Sequence, residues 1–289
     1  MSGIAIITDS NSGITREHAD RIGVTVLPMP FTIDDEDYLE DINLTHDEFY
    51  EKLMGDSKVM TSQPAPDTVK KIWEEALETH DEVVYIPMSS GLSGSTQTAV
   101  ILSEDYDGKV FVVDNQRISV TQYQSVLDAK EMAEKGYTGA QIKERLESDR
   151  FDSSIYIMVD TLKYLKAGGR LTPAVAALGT LLRIKPVLQI QGEKLDTFGV
   201  ARTQSHAKTM MITQLAKDIT GRFGGKDNGS GVHIYVAYSH NKEAAEEFAE
   251  EIRERFPASN PEAYALSLSV SCHIGPGSLA VACSKVEEY

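Results

Sequence analysis

The chain has 289 residues, of which 41% are hydrophobic and 25% charged, as expected for a globular protein of one large or two medium domains. A formal net charge of -16 argues against nucleic-acid binding, which requires a basic surface. Two cysteines are too few for a disulfide framework or a zinc site, and no signal-peptide pattern opens the chain. We therefore expect a cytoplasmic protein with reduced thiols.

The first half of the chain alternates short apolar runs with helical patterns. Predicted strands cover 4–8, 24–30, 82–86 and 110–114, with an acidic hairpin tip or loop at 34–41. Predicted helices begin at the caps near residues 15 and 45 and cover 67–78, 97–102, 119–135 and 138–146. This alternation predicts an α/β domain with a mostly parallel sheet.

A turn of glycine and hydroxyl residues separates the predicted strand 82–86 from the helix that follows it. Its sequence, 88–96, is MSSGLSGST. Gly91 and Gly94 permit positive φ, and Ser93 is predicted to cap the helix. Free N–H groups and the dipole at a helix N-terminus favour an anion, so we interpret the turn as an anion site. The alternative is an ordinary strand-to-helix turn with a good cap.

Other polar residues follow the neighbouring strands. Ligands of parallel sheets bind outside the carboxyl ends of the strands. Asp9, Ser10 and Asp114 are therefore expected at the same edge as the turn, with Thr61 and Ser62 joining them from a loop.

The second half does not continue this regular alternation of strands and helices, and it predicts a second, mixed α/β domain. We place the domain boundary near Asp152, giving domains 1–152 and 153–289. Strands are predicted at 155–159, 185–191, 194–200, 232–238, 264–268 and 279–285, and helices at 204–220 and 242–255. Thr172 and Pro173 are a strong helix start, and the segment 172–182 is apolar almost all round. That segment is predicted either to be buried or to line an apolar cavity, and we expect the ligand site at the seam between the domains.

A histidine precedes a Gly-Pro-Gly turn late in the chain. His273 is followed by Ile274 and then by Gly275, Pro276 and Gly277. An imidazole held by such a frame can donate a hydrogen bond to an anion or act as a general base. The alternative is a histidine with a purely structural role.

Taken in order, these motifs resemble the DegV family. The resemblance is carried by TDS at 8–10, TSQP at 61–64, SSGLSGS at 89–95, GGR at 168–170 and HIGPG at 273–277. Each motif is weak alone, but the ordered set spans nearly the whole chain and is specific. Two positions depart from the family pattern: Asn115 stands where serine or threonine is usual, and Cys272 stands where threonine is expected.

The resemblance implies a two-domain fatty-acid-binding protein that presents the fatty acid carboxylate to a separate ATP-dependent kinase. Such a chain is a carrier rather than an enzyme, has no cofactor besides its bound fatty acid, and is expected to be a monomer without stable membrane insertion. The resemblance places Thr61, Ser62, Ser93, Gly94 and His273 around the carboxylate. It places Arg170 and Arg202 near the head group or the kinase interface. The segments 172–182 and 186–190 are the most apolar candidates to line an acyl tunnel.

A serine-dependent hydrolase or acyltransferase is the alternative function. Ser93 would be its nucleophile, His273 its base, and Asp9 or Asp114 the residue that orients the base. The G-x-S-x-G elbow of many such enzymes is missing from this sequence.

Overall fold

The computed structural model describes residues 3–55, 57–180 and 184–289. The chain divides into two compact units. The first unit comprises Met1–Thr45, Lys58–Arg150 and Tyr289, and the second comprises His46–Ser57 and Phe151–Glu288. The segment His46–Ser57 is thus part of the second unit although it lies early in the sequence.

Strands and helices alternate through both units. In chain order the strands are β1 (Ile4–Asp9), β2 (Thr25–Leu27), β3 (Pro30–Ile33), β4 (Glu36–Leu39), β5 (Val59–Thr61), β6 (Glu82–Ile86), β7 (Val110–Val112), β8 (Ser153–Met158), β9 (Lys185–Ile190), β10 (Leu195–Ala201), β11 (Val232–Tyr238), β12 (Ala263–Ala265) and β13 (Leu279–Lys285). The helices are α1 (Arg16–Ile22), α2 (His46–Met54), α3 (Pro66–Leu77), α4 (Ser95–Ser103), α5 (Ser119–Glu134), α6 (Gly139–Ser148), α7 (Lys163–Ala167), α8 (Pro173–Ala176), α9 (Gln204–Gly221), α10 (Lys242–Arg255) and α11 (Leu268–Ile274). None of the helices in these residues is long and apolar enough to cross a membrane.

The first unit contains the predicted parallel sheet, with strand order β2-β1-β6-β7. A separate antiparallel sheet has the order β4-β3-β5. The single strand predicted at 24–30 is wrong, because that segment is divided between β2 in one sheet and β3 in the other. Of the acidic segment 34–41, only Asp34 and Asp35 form the hairpin tip, with positive φ values of 51° and 67°, and Glu36–Leu39 form strand β4.

Helix α3 packs one face against the parallel sheet. Val69 and Trp73 are buried with Ile7, Leu27 and Tyr85, while Ile72, Ala76 and Leu77 pack at the edge of the same cluster. These α3 positions recur at helical spacing, so the helix presents one apolar face to the sheet.

The second unit is built on a mixed sheet with strand order β10-β9-β8-β13-β11-β12. Neighbouring strands are antiparallel except for β11 and β12, which are parallel. Helices α9 and α10 cover the core, where Met211 and Phe248 pack with Tyr156 and Val281. The mixed α/β architecture predicted for this half is confirmed.

Two local predictions for the second half are wrong. The apolar segment 172–182 forms only the short helix α8 and a following 3-10 turn at Ala177–Thr180, and Leu181 and Leu182 lie outside the described residues. Of the residues in α8, Val175 alone is buried, so the helix is not a core helix. The strand predicted at 264–268 ends at Ala265, and Leu268 begins helix α11.

Candidate ligand-binding site

The glycine and serine turn of the first unit joins β6 to α4. Gly94 is the N-cap residue, so the predicted serine cap is wrong. Its φ of -72° and ψ of -7° show that it does not adopt the left-handed backbone that glycine permits. Ser93 nevertheless lies at the helix start. Its Oγ accepts a hydrogen bond from the N–H of Ser95 at 3.2 Å and lies 2.9 Å from the Oγ of Ser95. The turn therefore presents hydroxyls beside the first N–H groups of α4.

Two carboxylates hold this turn in place. Asp9 is the last residue of β1, and its Oδ2 accepts the Met88 N–H at 2.9 Å. Asp114 follows β7, and its Oδ1 accepts the Ser90 N–H at 3.2 Å. Both side chains therefore lie at the same edge as the turn, as the sequence predicts for residues at the carboxyl ends of parallel strands.

Asp9 is fully buried, and burial raises the pKa of its carboxyl, while hydrogen bonds oppose this increase. Its Oδ1 accepts hydrogen bonds from the backbone and side chain of Asn11 and from Gln122 Nε2, at 2.9–3.0 Å. A buried carboxylate needs such donors because it has lost its water. We conclude that Asp9 supports the turn.

The loop that contains Thr61 and Ser62 meets the start of α4. Thr61 ends β5, and Ser62 donates its N–H to the carbonyl of Pro30 at 3.2 Å. Gln63 Oε1 accepts the hydroxyl of Thr98 at 3.1 Å and would lie 4.0 Å from a β-carbon built on Gly94. The structure thus brings together the two hydroxyl-bearing segments of the first unit that the sequence singled out.

The second unit brings together the Gly-Gly-Arg and His-Ile-Gly-Pro-Gly motifs. His273 lies in the last turn of α11, and its imidazole packs on the backbone of Gly168 at the end of α7. A β-carbon built on Gly168 would lie 2.0 Å from Nδ1 of His273, which is impossible for any other residue without movement of the ring. Gly168 is therefore required by close approach of the histidine.

The neighbouring glycine is required by the backbone. Gly169 has φ +69°, donates its N–H to the carbonyl of Lys166 at 3.2 Å, and is followed by Arg170, whose N–H reaches the carbonyl of Leu165 at 3.0 Å. This pair of bonds is a Schellman motif, which needs a left-handed residue at that position. Gly168 is therefore required by the close packing of His273, and Gly169 is required by its left-handed backbone.

The Gly-Pro-Gly turn of the second unit packs against Tyr164 and Asp160. A β-carbon on Gly275 would lie 2.2 Å from the ring of Tyr164, and one on Gly277 would lie 2.9 Å from Oδ2 of Asp160. Both glycines also have positive φ, at 82° and 77°. Tyr164 and Asp160 were not identified from the sequence, since only tertiary packing places them here.

The imidazole of His273 is held in its neutral form. Burial, and secondly the positive charge of Arg170, lower the pKa of His273 to about 4. The exposed guanidinium of Arg170 donates to the carbonyl of Gly168 at 2.6 Å. A neutral imidazole has one N–H donor, and the adjacent guanidinium supplies a cation, so this corner can attract and hydrogen-bond an anion.

A cleft of about 630 Å³ lies within the second unit. The apolar part of its lining consists of Leu162, Leu171, Ala176, Leu178, Ile184 and Pro186. The rest of the lining consists of Asp160, Thr161, Lys163, Lys166 and Gly179. The volume is in the range of small-molecule sites, roughly 300–1,000 Å³. Of the segment 172–182, only Ala176, Leu178 and Gly179 among the described residues line this cleft, and Pro186 of β9 joins them. The role of the segment in an acyl tunnel stays a prediction.

Arg202 has a different environment from Arg170. It is exposed between β10 and α9, directly before the N-cap residue Thr203. Its assignment to the head group or to a partner stays a prediction.

The geometry does not favour the hydrolase alternative. Asp9 already accepts donors at both carboxylate oxygens, as described above, and Asp114 accepts the Ser90 N–H. Nδ1 of His273 lies against Gly168, where a catalytic triad would place the orienting carboxylate. An imidazole with a pKa of about 4 is also a weak general base at neutral pH.

Comparisons with known proteins agree with the motif resemblance. The family model described as an uncharacterised protein of the DegV family matches residues 3–286. A DegV domain-containing protein of Deinococcus radiodurans is 30% identical over 280 residues, which cover 96% of this chain and 97% of the relative.

Two solved structures are similar over nearly their full length. One, described as showing fatty acid binding of a DegV family protein from Thermus thermophilus, has a TM-score of 0.89 and 30% identity, covering 98% of this chain and 100% of that chain. The other, DegV from Bacillus subtilis, is described as a fatty acid binding protein. It has a TM-score of 0.87 and 26% identity, covering 99% of this chain and 100% of that chain.

Proposed function

Because the chain belongs to the DegV family, we propose that it binds a long-chain fatty acid and presents the carboxylate to a separate ATP-dependent fatty acid kinase. The observation that carries the proposal is the cleft of about 630 Å³ in the second unit, whose lining includes the apolar side chains of Leu162, Leu171, Leu178 and Ile184. An acyl chain gains about 0.8 kcal/mol for each CH₂ removed from water, so such a cleft is a suitable environment for it.

The proposed carboxylate ligands are the hydroxyls of Thr61, Ser62 and Ser93, the backbone of Gly94, and His273. That residues of both units serve one ligand is part of the proposal. A carboxylate leaving water needs several donors, and hydroxyls, amides at a helix start and a neutral imidazole supply them. Arg170 and Arg202 are assigned to the head group or to the surface that contacts the kinase.

The lipid part of the proposal is supported by the similar proteins from Thermus thermophilus and Bacillus subtilis, which are both described as binding fatty acids. The kinase partner, the carrier role without enzymatic activity and a monomeric state rest on the motif resemblance. We also propose a cytoplasmic location, as expected from the sequence.

Mass spectrometry of lipid extracted from the purified protein tests the proposal directly. We expect an unmodified fatty acid in the extract and saturable binding of oleate by calorimetry. Addition of ATP and a fatty acid kinase from the same organism should then yield acyl phosphate, trapped as a hydroxamate with hydroxylamine. Absence of bound lipid together with absence of oleate binding would overturn the proposal. Covalent labelling of Ser93 by a fluorophosphonate would support the hydrolase instead.

A further inference from the structure

Ser239 holds both ends of the turn that follows His273. It is fully buried and comes directly after β11. Its hydroxyl donates to the carbonyl of Gly275 at 2.6 Å, and the same oxygen accepts the N–H of Ser278 at 2.9 Å. One side chain therefore bonds to the residue that begins the Gly-Pro-Gly turn and to the residue that follows it.

The backbone of Ser239 makes further bonds to the same turn. Its N–H donates to the carbonyl of Ser278 at 3.1 Å, and its carbonyl accepts the N–H of Gly277 at 3.0 Å. Gly275 also ends α11, because its N–H donates to the carbonyl of Ser271 at 2.7 Å. The position of the last helical turn, which carries His273, is thus coupled through Gly275 to Ser239.

From this geometry we infer that Ser239 is a positioning residue for His273. It acts through the carbonyl of Gly275 and the N–H of Ser278, both in buried residues, and takes no part in ligand contact itself. The position requires one oxygen that donates and accepts at once, which a hydroxyl provides and a methyl group does not. The role at a fatty acid carboxylate rests on the function proposed above.

The first test measures the placement of His273 without any ligand. In the wild-type protein the imidazole pKa is lowered to about 4 because the ring is buried and near Arg170. NMR titration of histidine-labelled protein should show this pKa rising toward 6.5 in Ser239→Ala, since a released ring regains water. Ser239→Thr keeps the hydroxyl and should restore the low value. The His273 signal is assigned by its loss in His273→Gln.

Two control variants separate positioning from a general loss of stability. Ser284 lies in β13 of the same sheet, and its buried Oγ has no hydrogen-bond partner among the described residues. Ser284→Ala therefore removes a buried serine hydroxyl without touching the turn. Ile252→Val removes a methylene from the buried core under α10 and lowers stability. Neither control variant should change the pKa of His273. If Ile252→Val raises the pKa of His273 as much as Ser239→Ala does, the inference is overturned.

The second test uses oleate as the probe. Ser239→Ala should weaken oleate binding about tenfold, because a displaced His273 would lose its hydrogen bond to the oleate carboxylate. Ser284→Ala should bind oleate like the wild type. Unchanged affinity together with an unchanged His273 pKa would overturn the positioning role. If wild-type protein fails to bind oleate, the proposed function fails, and the NMR titration still decides whether Ser239 positions His273.

Discussion

The imidazole of His273 and the backbone of Gly168 are in such close contact that a single methyl group would not fit between them. A β-carbon at position 168 would lie 2.0 Å from Nδ1 and 2.6 Å from Cε1 of the ring. The two residues belong to motifs that are far apart in sequence, at the ends of α7 and α11. This contact decides where the imidazole points, and it leads directly to the first prediction.

Gly168→Ala should displace the His273 ring and weaken oleate binding about tenfold or more, because the ring and the new methyl group cannot occupy the same volume. The backbone of Gly168, at φ -82°, allows alanine, so steric conflict is the expected cause. Calorimetry with oleate measures the change. Gly221→Ala is the matched control, since a β-carbon there meets nothing within 4 Å. Equal affinities of the two variants would contradict the prediction.

Ser93→Ala should weaken oleate binding by about 1–3 kcal/mol, the cost of leaving a buried carboxylate oxygen without a donor. Ser103→Ala, at the other end of α4, removes a hydroxyl that bonds only locally to the carbonyl of Val100 and should leave affinity unchanged. Oleate titration and thermal melting of both variants make the comparison. If Ser93→Ala binds oleate as tightly as the wild type with intact folding, Ser93 does not contact the carboxylate.

His273 should make the protein less stable in mild acid. The folded pKa is about 4, below the value of 6.5 for an unperturbed histidine, so the unfolded chain takes up a proton that the folded protein excludes. The free energy of unfolding therefore falls as pH decreases from 6.5 to 4, by up to about 1.4 kcal/mol per pH unit from this residue. Urea unfolding at pH 7.5 and pH 5.0 should show that the free energy of unfolding decreases less in His273→Gln than in the wild type. Identical pH dependence in both proteins would show that His273 titrates normally.

Arg170→Ala should reduce acyl phosphate formation by the fatty acid kinase while leaving oleate affinity and melting temperature nearly unchanged. Its guanidinium is exposed and bonds only to the nearby carbonyl of Gly168 among the contacts described, so little folding energy depends on it. Arg170→Lys keeps the charge but loses the planar donor pair, which distinguishes a need for charge from a need for bidentate bonding. Measurements should use limiting amounts of this protein. A parallel loss of oleate affinity would instead place Arg170 in the binding pocket.

Ala176→Phe should shift the preference toward shorter acyl chains, because Ala176 lines the cleft and a phenyl ring would fill part of it. Ala174 is exposed on the same helix and is not part of the lining, so Ala174→Phe is the matched control. Competition between myristate and stearate measures the preference. If Ala174→Phe changes the preference between myristate and stearate as much as Ala176→Phe does, the acyl chain does not lie in this cleft.

The elements themselves were largely predictable because their signals are local. Strands β6, β11 and β13 and helix α10 have the predicted bounds, since each is a continuous apolar run or a periodic stripe between polar residues. Thr172 accepts the N–H of Val175 at the start of α8, as the Thr-Pro pair predicts. The ordered motifs were likewise sufficient to indicate the family, because they are short strings that do not depend on packing.

Tertiary packing determined the helix length at 172–182 and the roles of individual side chains, which these local patterns could not. Apolar composition predicted a longer helix at 172–182, yet α8 buries only Val175 of its residues, and neighbouring apolar side chains line a cleft. Asp9 and Asp114 were candidate catalytic groups by residue type, but their positions make them acceptors for backbone N–H groups of the turn. Gly168 and Ser239 owe their roles to His273 and to the turn beyond it, which approach them only in the folded chain. Side-chain contact depends on distance in space, whereas periodicity and capping depend on neighbours in sequence, and this difference separates what the sequence determined from what the tertiary structure decided.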